Sequence, residues 1–166
     1  KSGYSLLIFD CYRPKQSVAA FVEWANDKKD QKMKEIFYPE LPKLKLLELV
    51  YISGKSGHSR ASSIDLTLIK GKKREGTLRY REAATDCTRE RKNVPNGQIN
   101  MGSIFDCFSN VSHTASPKVS SEARKNRLFL KSAMEKFGFY NYSKEWWHYV
   151  LKKEPQKKTY FDFPVE

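Results

Sequence analysis

The sequence predicts an α+β domain in which helices flank a central, mainly antiparallel sheet. Three observations carry that reading. Strand-like apolar segments occur near the start, middle and end of the chain, at residues 4–11, 64–69 and 146–151. Helical periodicity occurs between them, over residues 14–25 and 121–137. The two kinds of segment follow one another without the regular alternation that builds a parallel sheet.

Residues 4–11 are apolar, rich in strand formers and bounded by Gly3 and by Tyr12-Arg13-Pro14, the pattern of a buried strand. Pro14 suits the first turn of a helix, and Val18, Phe21, Val22 and Ala25 follow at helical spacing. Arg13 therefore sits at a strand-to-helix corner, where a side chain is held rigidly. Residues 43–53 hold a further apolar run. Residues 64–69 alternate, with Asp65 and Thr67 on one face and Ile64, Leu66 and Leu68 on the other. Ser121 is placed to cap a helix with Glu122 in its first turn and an apolar stripe of Leu130, Ala133, Met134 and Phe137, ending at Gly138. Residues 146–151 then read as a strand, and residues 160–165 as another.

Length and composition bound the function classes. With 166 residues, 10 Phe, 9 Tyr and 3 Trp, the chain is one domain, spanning 1–166, with ample core material. No stretch approaches the roughly 18 apolar residues of a membrane-spanning helix. The formal charge is +12. Most lysines, among them Lys28, Lys29, Lys43, Lys45, Lys152 and Lys157, are scattered as on a solvated surface, and no aromatic-basic motif specific to nucleic acid is present. The densest basic stretch, 70–97, reads as an insertion or long exposed loop. Cys11, Cys87 and Cys107 have no Cys-x-x-Cys spacing and cannot all pair, so a disulfide-stapled scaffold is not expected. Two Asn-x-Ser triplets, at Asn110 and Asn141, are discounted as glycosylation signals. The chain opens on Lys1 and enters a strand within a few residues, which predicts a preceding N-terminal segment. Compartment and oligomeric state stay open.

Two of the three histidines lie in crowded company, His58 in Ser56-Gly57-His58-Ser59-Arg60 and His148 in Glu145-Trp146-Trp147-His148-Tyr149. A catalytic zinc takes three protein ligands and keeps one position for water. His58, Asp65 and His148 can supply such a set, provided that His58 and Asp65 straddle a loop entering the 64–69 strand. Glu145 and His148, three apart, point the same way only if the chain bends before Trp146. A carboxylate there could move a proton during attack on a carbonyl. A strand histidine beside two tryptophans is more often simply packed, and the spacing alone leaves both readings open.

The blocks Tyr12-Arg13-Pro14, Ser56-x-His58-Ser59-Arg60, Ile64-Asp65-Leu66-Thr67-Leu68, Met101-Gly102-Ser103-x-Phe105-Asp106 and Glu145-Trp146-Trp147-His148-Tyr149-Val150 resemble, in order, those of the zinc D-alanyl-D-alanine dipeptidases known from vancomycin resistance. The resemblance runs from near Lys1 to Tyr160-Phe161-Asp162-Phe163-Pro164. It implies one zinc per chain, in a cleft at the sheet, with His58, Asp65 and His148 as ligands. It further implies Glu145 as general base and acid, Arg13 as the group stabilising the oxyanion, Asp106 as partner of the substrate ammonium, and Ser56 as a contact at the dipeptide's other end. The implied reaction is hydrolysis of D-Ala-D-Ala in bacterial cell-wall metabolism, in cytoplasm or periplasm.

The chain departs from the family pattern in three places. Ala61 stands where the family has Gly, so a positive φ there would strain the loop that carries His58. The segment between Asp65 and Met101 is longer than the family's hairpin, which leaves it available to cover the cleft. The family's N-terminal stretch, whose tyrosines wall the pocket, has no counterpart before Lys1. Two rival readings follow: a zinc D,D-carboxypeptidase or L,D-type peptidase acting on another cell-wall peptide, and a non-catalytic basic module holding an anionic polymer.

Overall fold

Among the described residues, four strands make one antiparallel sheet in the order β1-β2-β4-β3, with β1 Tyr4–Asp10, β2 Ser63–Lys70, β3 Phe139–Asn141 and β4 His148–Leu151. The computed structural model describes residues 3–71, 86–90 and 97–165. Most of the basic stretch 70–97 lies outside them. Helix α1 (Lys15–Asn26) follows β1; α2 (Lys34–Phe37) and α3 (Lys45–Glu48) are single turns; α4 (Ser121–Lys136) precedes the β3–β4 hairpin. The architecture is the predicted α+β one.

β2 is the centre of the sheet, paired to β1 on one side and β4 on the other. Its alternation is real, yet both faces are covered: Asp65 and Thr67 are as buried as Leu66 and Leu68. Leu66 and Leu68 pack with Leu130 and Met134 of α4 and with Trp146, Trp147 and Tyr149 to form the main core. A second cluster, Ala25, Tyr38, Leu46, Ile52 and Phe108, joins the three N-terminal helices to the loop after Asp106.

Several expectations are corrected. β1 lies at the edge of the sheet, with β2 its one strand partner among the described residues, and Tyr4, Leu6 and Ile8, which share one face, are exposed. Residues 160–165 form no strand; they run alongside the first helix as an extended clasp, with Phe161 N–H donating to Ser59 C=O and Lys15 N–H to Phe161 C=O. Ser120, not Ser121, caps α4, its hydroxyl accepting from Ala123 N–H. The inward face of α4 is Ala123, Arg127, Leu130 and Met134, whereas Phe137 sits past the helix end, 76% exposed. Lys43 is buried, its Nζ 4.0 Å from the Trp24 ring centroid and donating to the Asp27 and Asp30 carbonyls. Cys87 and Cys107 form a disulfide, and Cys11 is free. Two cysteines 20 residues apart carry no local signature, so only the fold reveals the pairing.

Arg127 organises the 101–113 loop. Fully buried on α4, its guanidinium donates to the carbonyls of Met101, Val111 and His113, while the Ser103 hydroxyl lies at 3.4 Å. Trp146 Nε1 donates to the same hydroxyl.

Candidate active site

One end of the sheet gathers the residues picked out by sequence. Asp65 on β2 and His148 on β4 stand directly opposite each other in the strand register. His58 lies on a short 3₁₀ turn, residues 58–60, that leads into β2. Gly57 precedes it with no room for a side chain: a Cβ there would lie 2.0 Å from Ser63 Oγ. The turn closes with Ala61 in the left-handed region at φ 52°, ψ 32°, the positive φ that the family's glycine suggested. The loop keeps its shape and alanine bears the strain.

The three side chains meet. His148 Nδ1 is 2.8 Å from Asp65 Oδ1, His58 Nε2 is 3.3 Å from Asp65 Oδ2, and the two imidazole nitrogens are 3.2 Å apart. His58 and Asp65 are buried and His148 is half-buried. The far nitrogen of His58, Nδ1, donates to the Cys11 carbonyl at 2.6 Å, which fixes the tautomer and turns Nε2 toward the other two groups. Burial works to raise Asp65, but hydrogen bonds and charge from the two imidazoles hold it down to about 2. His58 moves the opposite way: burial works to lower it, and Asp65 more than compensates, leaving it raised.

The bend before Trp146 exists, as residues 146–147 form a turn and β4 begins at His148. It brings Glu145 Oε2 to 4.0 Å from His148 Nδ1. Glu145 is buried, and its carboxyl is pushed well above the usual range by that burial and by the charges of Asp65 and Asp106, against the pull of Arg13.

Arg13 occupies the predicted corner after a register shift in β1 between Ile8 and Asp10. Its Nη2 and Nε donate to Asp10 Oδ2 at 2.6 and 3.0 Å. Burial opposes its charge and Asp10 restores it, leaving the guanidinium raised. The first turn of α1 behind it is held by the extended clasp: Gln16 N–H donates to Asp162 Oδ1 at 2.7 Å. Asp106, at φ 59°, is only partly exposed and carries a carboxyl pushed up to about 7 by burial and by the nearby negative charge of Asp65. The Cys87–Cys107 disulfide and the bond from Phe108 N–H to Phe37 C=O anchor the residues that follow it.

All seven predicted residues, Arg13, Ser56, His58, Asp65, Asp106, Glu145 and His148, line one cleft of about 230 Å³. That is below the roughly 300–1,000 Å³ of drug-sized sites and suits a smaller ligand. Its other walls include the aromatic side chains of Phe21, Tyr51, Phe108 and Tyr142, together with Ser53 and Lys55. Sequence reasoning missed two participants. Asp10 carried a usable signal, its three-residue spacing from Arg13. Tyr51, whose hydroxyl meets His113 Nε2 at 3.1 Å, carried none.

Comparison with known proteins agrees with the resemblance noted in the sequence. The M15 peptidase family described as D-ala-D-ala dipeptidase matches residues 1–78 and 78–166. The chain is similar to a D-alanyl-D-alanine dipeptidase of Enterococcus faecium, 40% identical over 99% of this chain and 70% of the relative. Similar proteins of the same description occur in Enterococcus faecalis, 36% identical over 98% and 70%, and in Streptomyces coelicolor, 34% identical over 98% and 70%.

Proposed function

This chain belongs to the M15 family of D-Ala-D-Ala dipeptidases, and from that membership we propose that it hydrolyses the D-Ala-D-Ala dipeptide using one zinc held by His58 Nε2, an oxygen of Asp65 and His148 Nδ1. The observation that carries the reading is the convergence of those three donors, all within 4.8 Å of one another, in a cleft shared with Glu145 and Arg13. Two imidazoles and one carboxylate are a donor set that zinc accepts, and the carbonyl bond on His58 Nδ1 is the outer partner such a ligand needs. When bound, the metal supplies Lewis acidity and an acidified water.

The chain's own residues do the rest. Glu145 takes a proton from the attacking water and returns it to the leaving amine, and a carboxyl raised well above its ordinary range is suited to both steps. Arg13, an obligate cation on a rigid corner, faces the carbonyl oxygen as it gains charge. Asp106 receives the substrate ammonium, and Ser56 meets the dipeptide's other end. An N-acylated peptide would leave Asp106 without its cation, which restricts the enzyme to free dipeptides.

Metal analysis and D-alanine release, with and without chelator, test the reading together. About one zinc per chain and chelator-sensitive release are expected. Glu145→Ala should retain zinc and lose about two or more orders of magnitude in kcat, whereas His148→Ala should lose the metal. Near-normal turnover by Glu145→Ala would remove Glu145 from the mechanism. Bound zinc with release only from N-acylated peptides would favour a D,D-carboxypeptidase.

A further inference from the structure

The bend that brings Glu145 alongside His148 is held by backbone bonds of 2.9–3.3 Å and by one side chain. Its own backbone closure, His148 N–H to Glu145 C=O, is long at 3.3 Å. What spans it is the side chain of Asn141, the last residue of β3. The Asn141 amide donates to Glu145 C=O at 2.9 Å and to His148 C=O at 3.0 Å. One planar group thus grips both ends of the bend through the two diverging N–H bonds of its Nδ2. The other face of the amide is fixed as well: Thr114 Oγ1 donates to Asn141 Oδ1 at 2.5 Å, and Thr114 is itself tied back by its N–H to Ser143 C=O. Thr114 is buried and Asn141 half-buried, and the hydrogen bond between them sets which way the amide faces.

We propose that Asn141 is a positioning residue for the hydrolytic centre, setting the separation of Glu145 from His148 through its two carbonyl contacts, with Thr114 orienting it. The inference rests on the function proposed above. It needs an amide rather than any polar group. An aspartate would set a carboxylate against two carbonyl oxygens. An alanine would leave the bend to backbone bonds alone, Glu145 N–H to Tyr142 C=O, Trp146 N–H to Ser112 C=O, Tyr142 N–H to His148 C=O and the long His148 N–H to Glu145 C=O, with no group joining the Glu145 and His148 carbonyls. Glutamate and histidine three residues apart converge only while the bend holds, so a relaxed bend moves the proton-transfer group away from the metal ligand.

The test uses the zinc-loaded protein and four variants: Asn141→Ala, Asn141→Asp, Thr114→Val and Thr114→Ser. Steady-state kinetics on D-Ala-D-Ala are paired with zinc retention against a competing chelator and with the melting temperature of the metal-free protein. Partners that orient a ligand are worth about 10–100-fold, so both Asn141 variants should lose that factor in kcat and about 10-fold in zinc affinity, with KM within about two-fold. Thr114→Val should lose about three- to ten-fold in kcat, while Thr114→Ser, which keeps the hydroxyl, should match the parent. A folded Asn141→Ala with parental kcat and zinc affinity overturns the proposal, as does a Thr114→Val indistinguishable from Thr114→Ser. If the Asn141 variants do not fold, the Thr114 pair decides. If the parent releases no D-alanine, the proposed reaction fails, and zinc retention alone decides the role of Asn141.

Discussion

Replacing Arg127 by methionine, which keeps much of the volume and removes every donor, should destabilise the protein by about 2–3 kcal/mol. The figure follows from what the guanidinium touches. It satisfies two wholly buried carbonyls, of Met101 and Val111, and a partly buried third, of His113. Each orphaned buried acceptor costs about 1–3 kcal/mol, so the gross loss is about 5 kcal/mol. Against this, the guanidinium is buried with no carboxylate in salt-bridge contact among the described residues, only the charge of Glu90 supporting it. Burial pulls it down to about 10, a penalty of about 3 kcal/mol on the charged form that methionine escapes. The difference is the net effect, and for a domain of this size it lowers the melting temperature by about 5–10 °C. Urea unfolding followed by tryptophan fluorescence measures it, since Trp146 shares the network through Ser103. Arg127→Lys, a single point donor that cannot reach three carbonyls, should fall between the two. A methionine variant within about 0.5 kcal/mol of the parent would refute the reasoning, because it would mean that the orphaned carbonyls find other donors.

Other perturbations have equally definite outcomes. Ala61→Gly relieves a left-handed alanine and should stabilise by about 0.5–1 kcal/mol, the relief exceeding glycine's added unfolded-state entropy; a loss of stability on thermal melting would contradict the strain. Replacing both Cys87 and Cys107 by alanine opens a 20-residue loop and should cost about 3 kcal/mol, read as a lower urea midpoint. In the metal-free protein Asp106 holds its proton more tightly folded, with its carboxyl up at about 7, than unfolded. Its contribution to stability is therefore complete below the ordinary carboxylate range and is lost as pH rises through about 7. Stability should decline over that interval, and Asp106→Asn should flatten the decline; an unchanged pH profile would exclude Asp106 as a source. In the loaded enzyme the same substitution should raise KM for the free dipeptide about ten-fold or more while leaving the zinc content unchanged.

How much of this was legible in the sequence depended on the range of the interaction. The β2 strand and α4 were visible because period-2 and period-3.6 patterns are local. The α4 cap slipped by one residue because two serines adjoin, and only the backbone shows which lies outside the helix. β1 looked buried because its composition says nothing about how many neighbours it has. The basic stretch 70–97, flagged as an insertion, lies mostly outside the described residues. The site was legible in a different way. Spacing left His58, Asp65 and His148 undecided, and the resemblance singled them out; the fold brings them to one cleft. Asn141 was seen and set aside as part of an Asn-x-Ser triplet, and Arg127 was not singled out. Neither contact has a sequence signature, because their acceptors are backbone carbonyls up to 26 residues away, and every residue has one.

The clasp formed by residues 160–163 bears on how the protein comes into being. Synthesis runs from the N-terminus, so β1, the Arg13 corner, His58 and Asp65 leave the ribosome long before the segment that locks them. Lys15 waits for Phe161, Gln16 for Asp162 and Tyr12 for Phe163, whose carbonyl accepts from the Tyr12 hydroxyl across 151 positions. β2 has the same history, since its partner β4 is made more than 80 residues later. The nascent chain thus exposes a central strand with only its β1 partner made, with Asp65 on it and His58 on the turn before it but without their third neighbour, His148. Assembly is a late, long-range event with a correspondingly slow search.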